Sequence, residues 1–186
     1  MLTIGDELPS FSLAAVVSTD IDRAFTTLTE HSYPGEWLAV FFWPKDFTFV
    51  CPTEITGFAR VEPEFRARGC QLLGVSTDSE YAHLAWRQQH PKLRELPFPM
   101  LSDIKRELAR QLGILDPSSG VALRATYLVD PDRRIRFVSV NDANVGRNPS
   151  EVLRVLDGLQ TGELVPCGWQ RGEPTLGPAE PRPLAH

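Results

Sequence analysis

The run Leu38-Ala39-Val40-Phe41-Phe42-Trp43-Pro44-Lys45-Asp46-Phe47-Thr48-Phe49-Val50-Cys51-Pro52-Thr53-Glu54 sets an apolar strand, a Pro-led turn and a helix start end to end. Leu38 to Trp43 is apolar without alternation, which predicts a strand buried on both faces. Pro44 ends it, since proline has no N–H for a sheet ladder. Pro52 suits the first helical turn, where a missing N–H costs nothing, and Glu54 stands where a capping-box acid would. Cys51 is then the N-cap or a first-turn residue. Thr48 is the competing N-cap, and either choice leaves the sulfur in the first turn.

That position carries chemistry. Helix N-terminal N–H groups and the helix dipole favour negative charge. A free thiol with a pKa of ~8.5 is little ionised at pH 7, but a helix N-terminus or a nearby Arg lowers such values to roughly 3.5–7.5. A lone cysteine is most often a small buried hydrophobe; the strand–Pro–Thr–Cys–Pro context points instead to a nucleophile.

Outward from this segment, strand and helix signals alternate. Leu38 to Trp43, Gln71 to Ser76, Ala125 to Val129 and Ile135 to Val140 read as strands. Helical stretches are expected at about Pro52 to Arg68, Ser79 to His90, Ile104 to Leu112 and Pro149 to Leu159, with a kink or restart at Pro63. Strands separated by helix-length segments imply a mostly parallel sheet covered on both faces, and Asp130-Pro131-Asp132 marks a tight turn joining the last two strands. The expected architecture is a three-layer α/β/α sandwich. Beyond Thr161 the sequence becomes rich in Gly and Pro, from Gly168 to Pro183, and no periodic apolar face survives. This predicts a domain over 1–160 and a flexible tail over 161–186 that docks on a partner or is disordered.

The chain has 186 residues, 42% of them hydrophobic and 23% charged, which suits one domain with a sizeable core. A net charge of −5 and the lack of any Lys/Arg cluster argue against a nucleic-acid surface. Met1 to Glu7 lacks a basic start, and no apolar run approaches ~20 residues, so neither a signal peptide nor a membrane segment is expected. A cytoplasmic location follows as the expectation, where Cys51, Cys70 and Cys167 are reduced or catalytic rather than structural disulfides. His31, His83, His90 and His186 show no metal-ligand spacing with the cysteines, so no metal is expected.

The string Phe41 to Glu54, with Pro44-x-x-x-Thr48-x-x-Cys51 inside it, resembles the active-site signature of the peroxiredoxins, specifically the 2-Cys alkyl hydroperoxide reductase C (AhpC) branch. Leu73 to Ser79, Phe98 to Asp103, Arg124, Val145-Gly146-Arg147 and Trp169 also fall where that family has counterparts, so the likeness covers roughly residues 1–176. It implies a thioredoxin-like version of the α/β/α fold with a central mixed sheet, and a thiol-specific peroxidase that reduces hydrogen peroxide and organic hydroperoxides. By resemblance Cys51 is the peroxidatic cysteine and passes through a sulfenic acid. The Thr48 hydroxyl bonds the peroxide, Pro44 shields the sulfur from water, and the Arg124 guanidinium stabilises thiolate and peroxide. Glu54 and Arg147 support that Arg.

The family also implies a resolving cysteine on a second subunit, and here the chain departs from the usual pattern. Most AhpC-like tails carry that cysteine four residues before the tail Trp, where this chain has Val165; a subset has a second one two residues on, which is Cys167. Cys70, entering a strand without a motif around it, reads as an inert core cysteine. An intersubunit Cys51–Cys167 disulfide is therefore expected. By resemblance the enzyme needs no resident cofactor, only an external dithiol: a thioredoxin, a flavoprotein disulfide reductase or an alkyl hydroperoxidase D-type adaptor. A homodimer assembling into a ring of five or six dimers is implied too. The Gly-Gly-Leu-Gly loop and C-terminal Tyr-Phe helix of over-oxidation-sensitive members are missing from this sequence.

Three rival readings use the same residues. A thioredoxin-like disulfide reductase needs a second cysteine where Glu54 stands, which excludes it. A ring-forming holdase chaperone, or a peroxide sensor using the same redox cysteine, is the alternative to the enzyme; fast stoichiometric loss of the Cys51 thiol to one equivalent of peroxide separates a pure chaperone from a peroxidase.

Overall fold

The chain runs β1 (Ser12–Val16), β2 (Phe25–Thr29), β3 (Trp37–Phe42), α1 (Cys51–Arg66), β4 (Cys70–Ser76), α2 (Glu80–Gln89), β5 (Met100–Ser102) and α3 (Glu107–Leu112). It continues through β6 (Arg124–Val129), β7 (Ile135–Asn141), α4 (Pro149–Thr161), β8 (Glu163–Leu164) and β9 (Gly177–Pro178). These come from a computed structural model that describes residues 1–179; Pro181, Pro183 and His186 lie outside the described residues.

Seven strands form one mixed sheet in the order β2-β1-β5-β4-β3-β6-β7. β3–β4 and β4–β5 pair parallel, as crossover helices demand, and the remaining pairs are antiparallel, so the sheet is mixed, as the family likeness implies, rather than mostly parallel. Every residue from Leu38 to Trp43 is buried. The cause is a helical layer on each face: Leu38, Val40 and Phe42 pack with Leu108 and Leu112 of α3, whereas Ala39, Phe41 and Trp43 pack with Ile55 and Phe58 of α1 and Leu156 of α4. The three-layer thioredoxin-like sandwich expected from the sequence is present. Gly74 is needed for it, since a Cβ there would stand 2.8 Å from Trp43 Cζ3.

Three strands of the seven-stranded sheet escaped the sequence reading, as did the short β8 and β9. β1 and β2 flank the edge with mostly exposed or half-buried residues, and β5 has three residues, too few for a periodic signal. α3 begins at Glu107 rather than Ile104 because Arg106 turns through φ +60° while the Asp103 carboxylate accepts from the N–H groups of Leu108 and Ala109. α1 does not restart at Pro63. It continues to Arg66, since a proline in the last turn forfeits a single backbone bond there. The β6–β7 turn forms as expected, with Asp130 Oδ1 accepting from the N–H groups of Asp132 and Arg134.

The tail differs most from expectation. Over 163–178 it folds back on its own chain, β8 pairing with β9, and Trp169 is buried with its Nε1 donating to Glu173 O at 3.0 Å. Arg154 of α4 donates to Trp169 O at 3.2 Å. One large aromatic side chain supplies what the missing periodicity hid: a single buried Trp is anchor enough for a Gly/Pro-rich segment.

Candidate active site

α1 starts with Cys51 as its first helical residue, Pro52 second, and Val50 as an N-cap without any side-chain cap bond. Neither proposed cap forms. The Thr48 hydroxyl donates to Lys45 O at 3.0 Å inside the loop, and Glu54 turns to two arginines, because charge-assisted bonds outweigh a bond to a neutral N–H.

β6 places the first arginine. Its antiparallel register sets Thr126 opposite Phe41, so Arg124 reaches the end of the sheet where α1 begins. Arg124 Nη1 donates to Cys51 Sγ at 3.3 Å and to Glu54 Oε2 at 2.6 Å, and Nε holds Ala143 O at 2.7 Å. Among the described residues Nη2 has no hydrogen-bond partner. Burial pulls the Arg124 pKa down, but the bond to Cys51 and the charges of Cys51 and Glu54 outweigh it and the net shift is upward. This guanidinium stays charged.

Arg147 closes the group. Its backbone N–H and its Nε donate to Glu54 Oε1 at 2.9 and 2.8 Å, and Nη2 donates to Oε2 at 3.1 Å. Its guanidinium carbon lies 5.6 Å from the Phe41 ring centroid and 5.7 Å from that of Phe58, within cation–π range. Two buried guanidinium groups thus face one buried carboxylate.

The other sequence candidates fall as follows. Pro44 is half-buried at the end of β3, and Thr48 is half-buried in the loop before α1. Cys51 is buried, 1% exposed. Cys167 sits exposed on the turn between Pro166 and Trp169, and all three cysteines are free. Burial pushes the Cys70 thiol up, with the nearby Glu36 charge adding to it, as an inert core cysteine requires. No cluster of His, Cys, Asp and Glu able to hold a metal occurs among the described residues, and none of their helices is long and apolar enough to cross a membrane.

Sequence reasoning missed two residues beside the site. Asp46 and His83 are both buried and bond each other at 2.7 Å. His83 draws attention in the sequence only as a possible metal ligand, and Asp46 only as part of a motif; their 37-residue separation conceals the pair.

Residues 4–138 match the AhpC/TSA family. The chain belongs to that family. Alkyl hydroperoxide reductase C of Mycobacterium tuberculosis is 53% identical over 188 residues, covering 97% of this chain and 96% of that protein. The solved structure of Mycobacterium tuberculosis AhpC superposes with a TM-score of 0.84 at 53% identity, covering 91% of this chain and 99% of the other. A reduced 2-Cys peroxiredoxin of Plasmodium vivax reaches a TM-score of 0.86 at 32% identity, covering 93% and 92%. This AhpC/TSA chain is an oxidoreductase of the peroxiredoxin type, and the resemblance first carried by the segment around Cys51 extends over nearly its whole length.

Proposed function

We propose that the chain reduces hydrogen peroxide and organic hydroperoxides to water and alcohols through Cys51. The observation that carries this reading is the Arg124 Nη1–Cys51 Sγ bond at 3.3 Å in a group of two arginines and one carboxylate. The thiolate attacks the terminal peroxide oxygen, an S–O bond forms, the O–O bond breaks, and the departing alkoxide or hydroxide takes up a proton. Arg124, the Thr48 hydroxyl and the first-turn N–H groups stabilise the charge that develops on the two oxygens. Pro44 keeps water from the sulfur, and Glu54 with Arg147 holds Arg124 in place.

Cys167 of a second copy then attacks the Cys51 sulfenic acid, water leaves, and an intersubunit disulfide forms. An external dithiol such as a thioredoxin, a flavoprotein disulfide reductase or an alkyl hydroperoxidase D-type adaptor reopens it, with no resident cofactor. On this reading 1–160 is the peroxidase domain, 161–186 delivers the resolving thiol, and the protein works in the cytoplasm as a homodimer assembled into a ring of five or six dimers. Peptide mapping after one turnover with one equivalent of peroxide tests it. A Cys51–Cys167 peptide supports the reading, and an unchanged Cys51 thiol overturns it.

A further inference from the structure

We propose that Val165, seated on Gly158 of α4, is a positioning residue that docks the arm entering the Cys167 turn, and that release of this contact sets how fast Cys167 reaches a second copy. The rate consequence rests on the peroxidase reading above; the docking does not.

The chain reverses at Gly162, whose φ of +68° ends α4 and lays the next residues back along the helix. Glu163 and Leu164 stay exposed, and Val165 is the first half-buried side chain of the arm. It meets α4 at a glycine. Gly158 is buried inside the helix, where glycine is a poor helix former, and a Cβ there would stand 3.3 Å from Val165 Cγ2. The missing side chain is the seat. A cavity of about 270 Å³, bordered by Val155, Leu159 and Arg136, lies beside the contact, so no second surface backs Val165 once it is displaced.

Cys167 stands between this seat and the Trp169 anchor. The Trp169 N–H donates to Pro166 O at 3.2 Å to close the turn, and Arg154 Nη1 donates to Trp169 O at 3.2 Å. Beyond it Arg171 lies 3.6 Å from Asp157, which Arg68 grips at 2.6 Å just past the end of α1. Fastened on both sides, the turn keeps Cys167 toward the end of α1 opposite Cys51, a helix of 16 residues and so on the order of 24 Å long. Cys51 is itself buried, and a disulfide needs Cα atoms about 4.4–6.8 Å apart. The rate of bond formation is then proportional to the fraction of tails undocked. Val165 stands where most AhpC-like tails react, so in this chain the position docks the arm of the thiol instead of carrying the thiol.

Hydrogen exchange over 163–178 in reduced, full-length protein reads the docking, with 38–42 of β3 as the marker of global opening. A two-residue pairing such as β8–β9 does not persist unsupported, so the bond from the Leu176 N–H to Leu164 O reports on the arm. Val165→Ala removes the contact. Gly158→Val fills the seat while favouring the helix over glycine, so helix stability and docking should move in opposite directions. Each substitution should speed exchange over 163–178 about 3- to 30-fold with 38–42 unchanged, and the double variant should match the larger single effect, since one contact is lost once. Val165→Ala carries the test if Gly158→Val loses its fold. Unchanged exchange in Val165→Ala, multiplied effects in the double variant, or parallel rises at 38–42 would overturn the proposal. With one equivalent of peroxide, Val165→Ala should oxidise Cys51 at the wild-type rate and form the disulfide faster by about the exchange factor; faster exchange with an unchanged disulfide phase would overturn the rate claim. An unreactive Cys51 in the wild type refutes the peroxidase reading alone, because the exchange measurement uses no peroxide.

Discussion

Glu54 accepts two hydrogen bonds from Arg147 on a single oxygen, one from the backbone N–H and one from Nε, at 2.9 and 2.8 Å. The carboxylate therefore fixes the loop before α4 as well as its side chain, and through Oε2 it also holds Arg124. Removing that charge strands two buried guanidinium groups. Glu54→Gln is expected to destabilise the fold by about 3–5 kcal/mol, the range for breaking a buried ion pair on one side. Denaturant unfolding measures it, and a loss below about 1 kcal/mol would show the carboxylate to be dispensable.

Arg124→Ala should keep the disulfide chemistry and slow the peroxide step. One charge-assisted bond contributes ~1.5–3 kcal/mol, roughly a 10- to 100-fold fall in rate. Cys51→Ser should abolish turnover altogether. Stopped-flow single-turnover kinetics distinguishes the two, and wild-type rates in Cys51→Ser would end the peroxidase reading.

Resistance to over-oxidation is expected. Gln89 to Leu96 contains no Gly-Gly-Leu-Gly loop, so local opening around Cys51 should outrun a second oxidation of the sulfenic acid. Mass spectrometry after turnover in modest peroxide excess reads the product at Cys51. Predominant sulfinic acid contradicts the expectation.

Peroxide-treated wild type should run as a covalent dimer on a non-reducing gel, and Cys167→Ser as a monomer. Cys167 is exposed on its turn, whereas Cys70 is buried in β4. A dimer band that survives Cys167→Ser would move the linkage to Cys70 or to Cys51–Cys51.

Tyr127 offers a stability test away from the site. Its hydroxyl is buried without a partner among the described residues, and its ring packs edge-on against Phe42 at 6.4 Å. Tyr127→Phe is expected to raise stability by about 1 kcal/mol, because the unsatisfied group is removed and the packing kept. Burial pushes the hydroxyl up to about 12. The folded state therefore favours the neutral phenol: that preference is complete below the ordinary value of ~10 and is lost as pH rises through about 12. Unfolding free energies measured across this alkaline window should decline less in the Phe variant.

Local chemistry along the chain was enough for the β3–turn–α1 unit, the Asp130 turn, the helix-terminal place of Cys51 and the inert setting of Cys70. Each depends on neighbours within a few residues: proline's missing N–H, an unbroken apolar run, a helix start. Matching to a known signature extended this to Arg124, Glu54, Arg147 and Cys167, though not to how they bond. The family likeness grouped Glu54 and Arg147 around Arg124, but tertiary structure decided the bonding, in which Glu54 is no capping acid and accepts from both arginines, since Arg147 stands 93 residues away and only the sheet register and the start of α4 bring it near. It likewise joined Asp46 to His83 and buried Trp169 beneath an otherwise featureless tail. Those are pairings between distant polar or aromatic groups, worth making only once folding has removed water from around both, and no local periodicity records them.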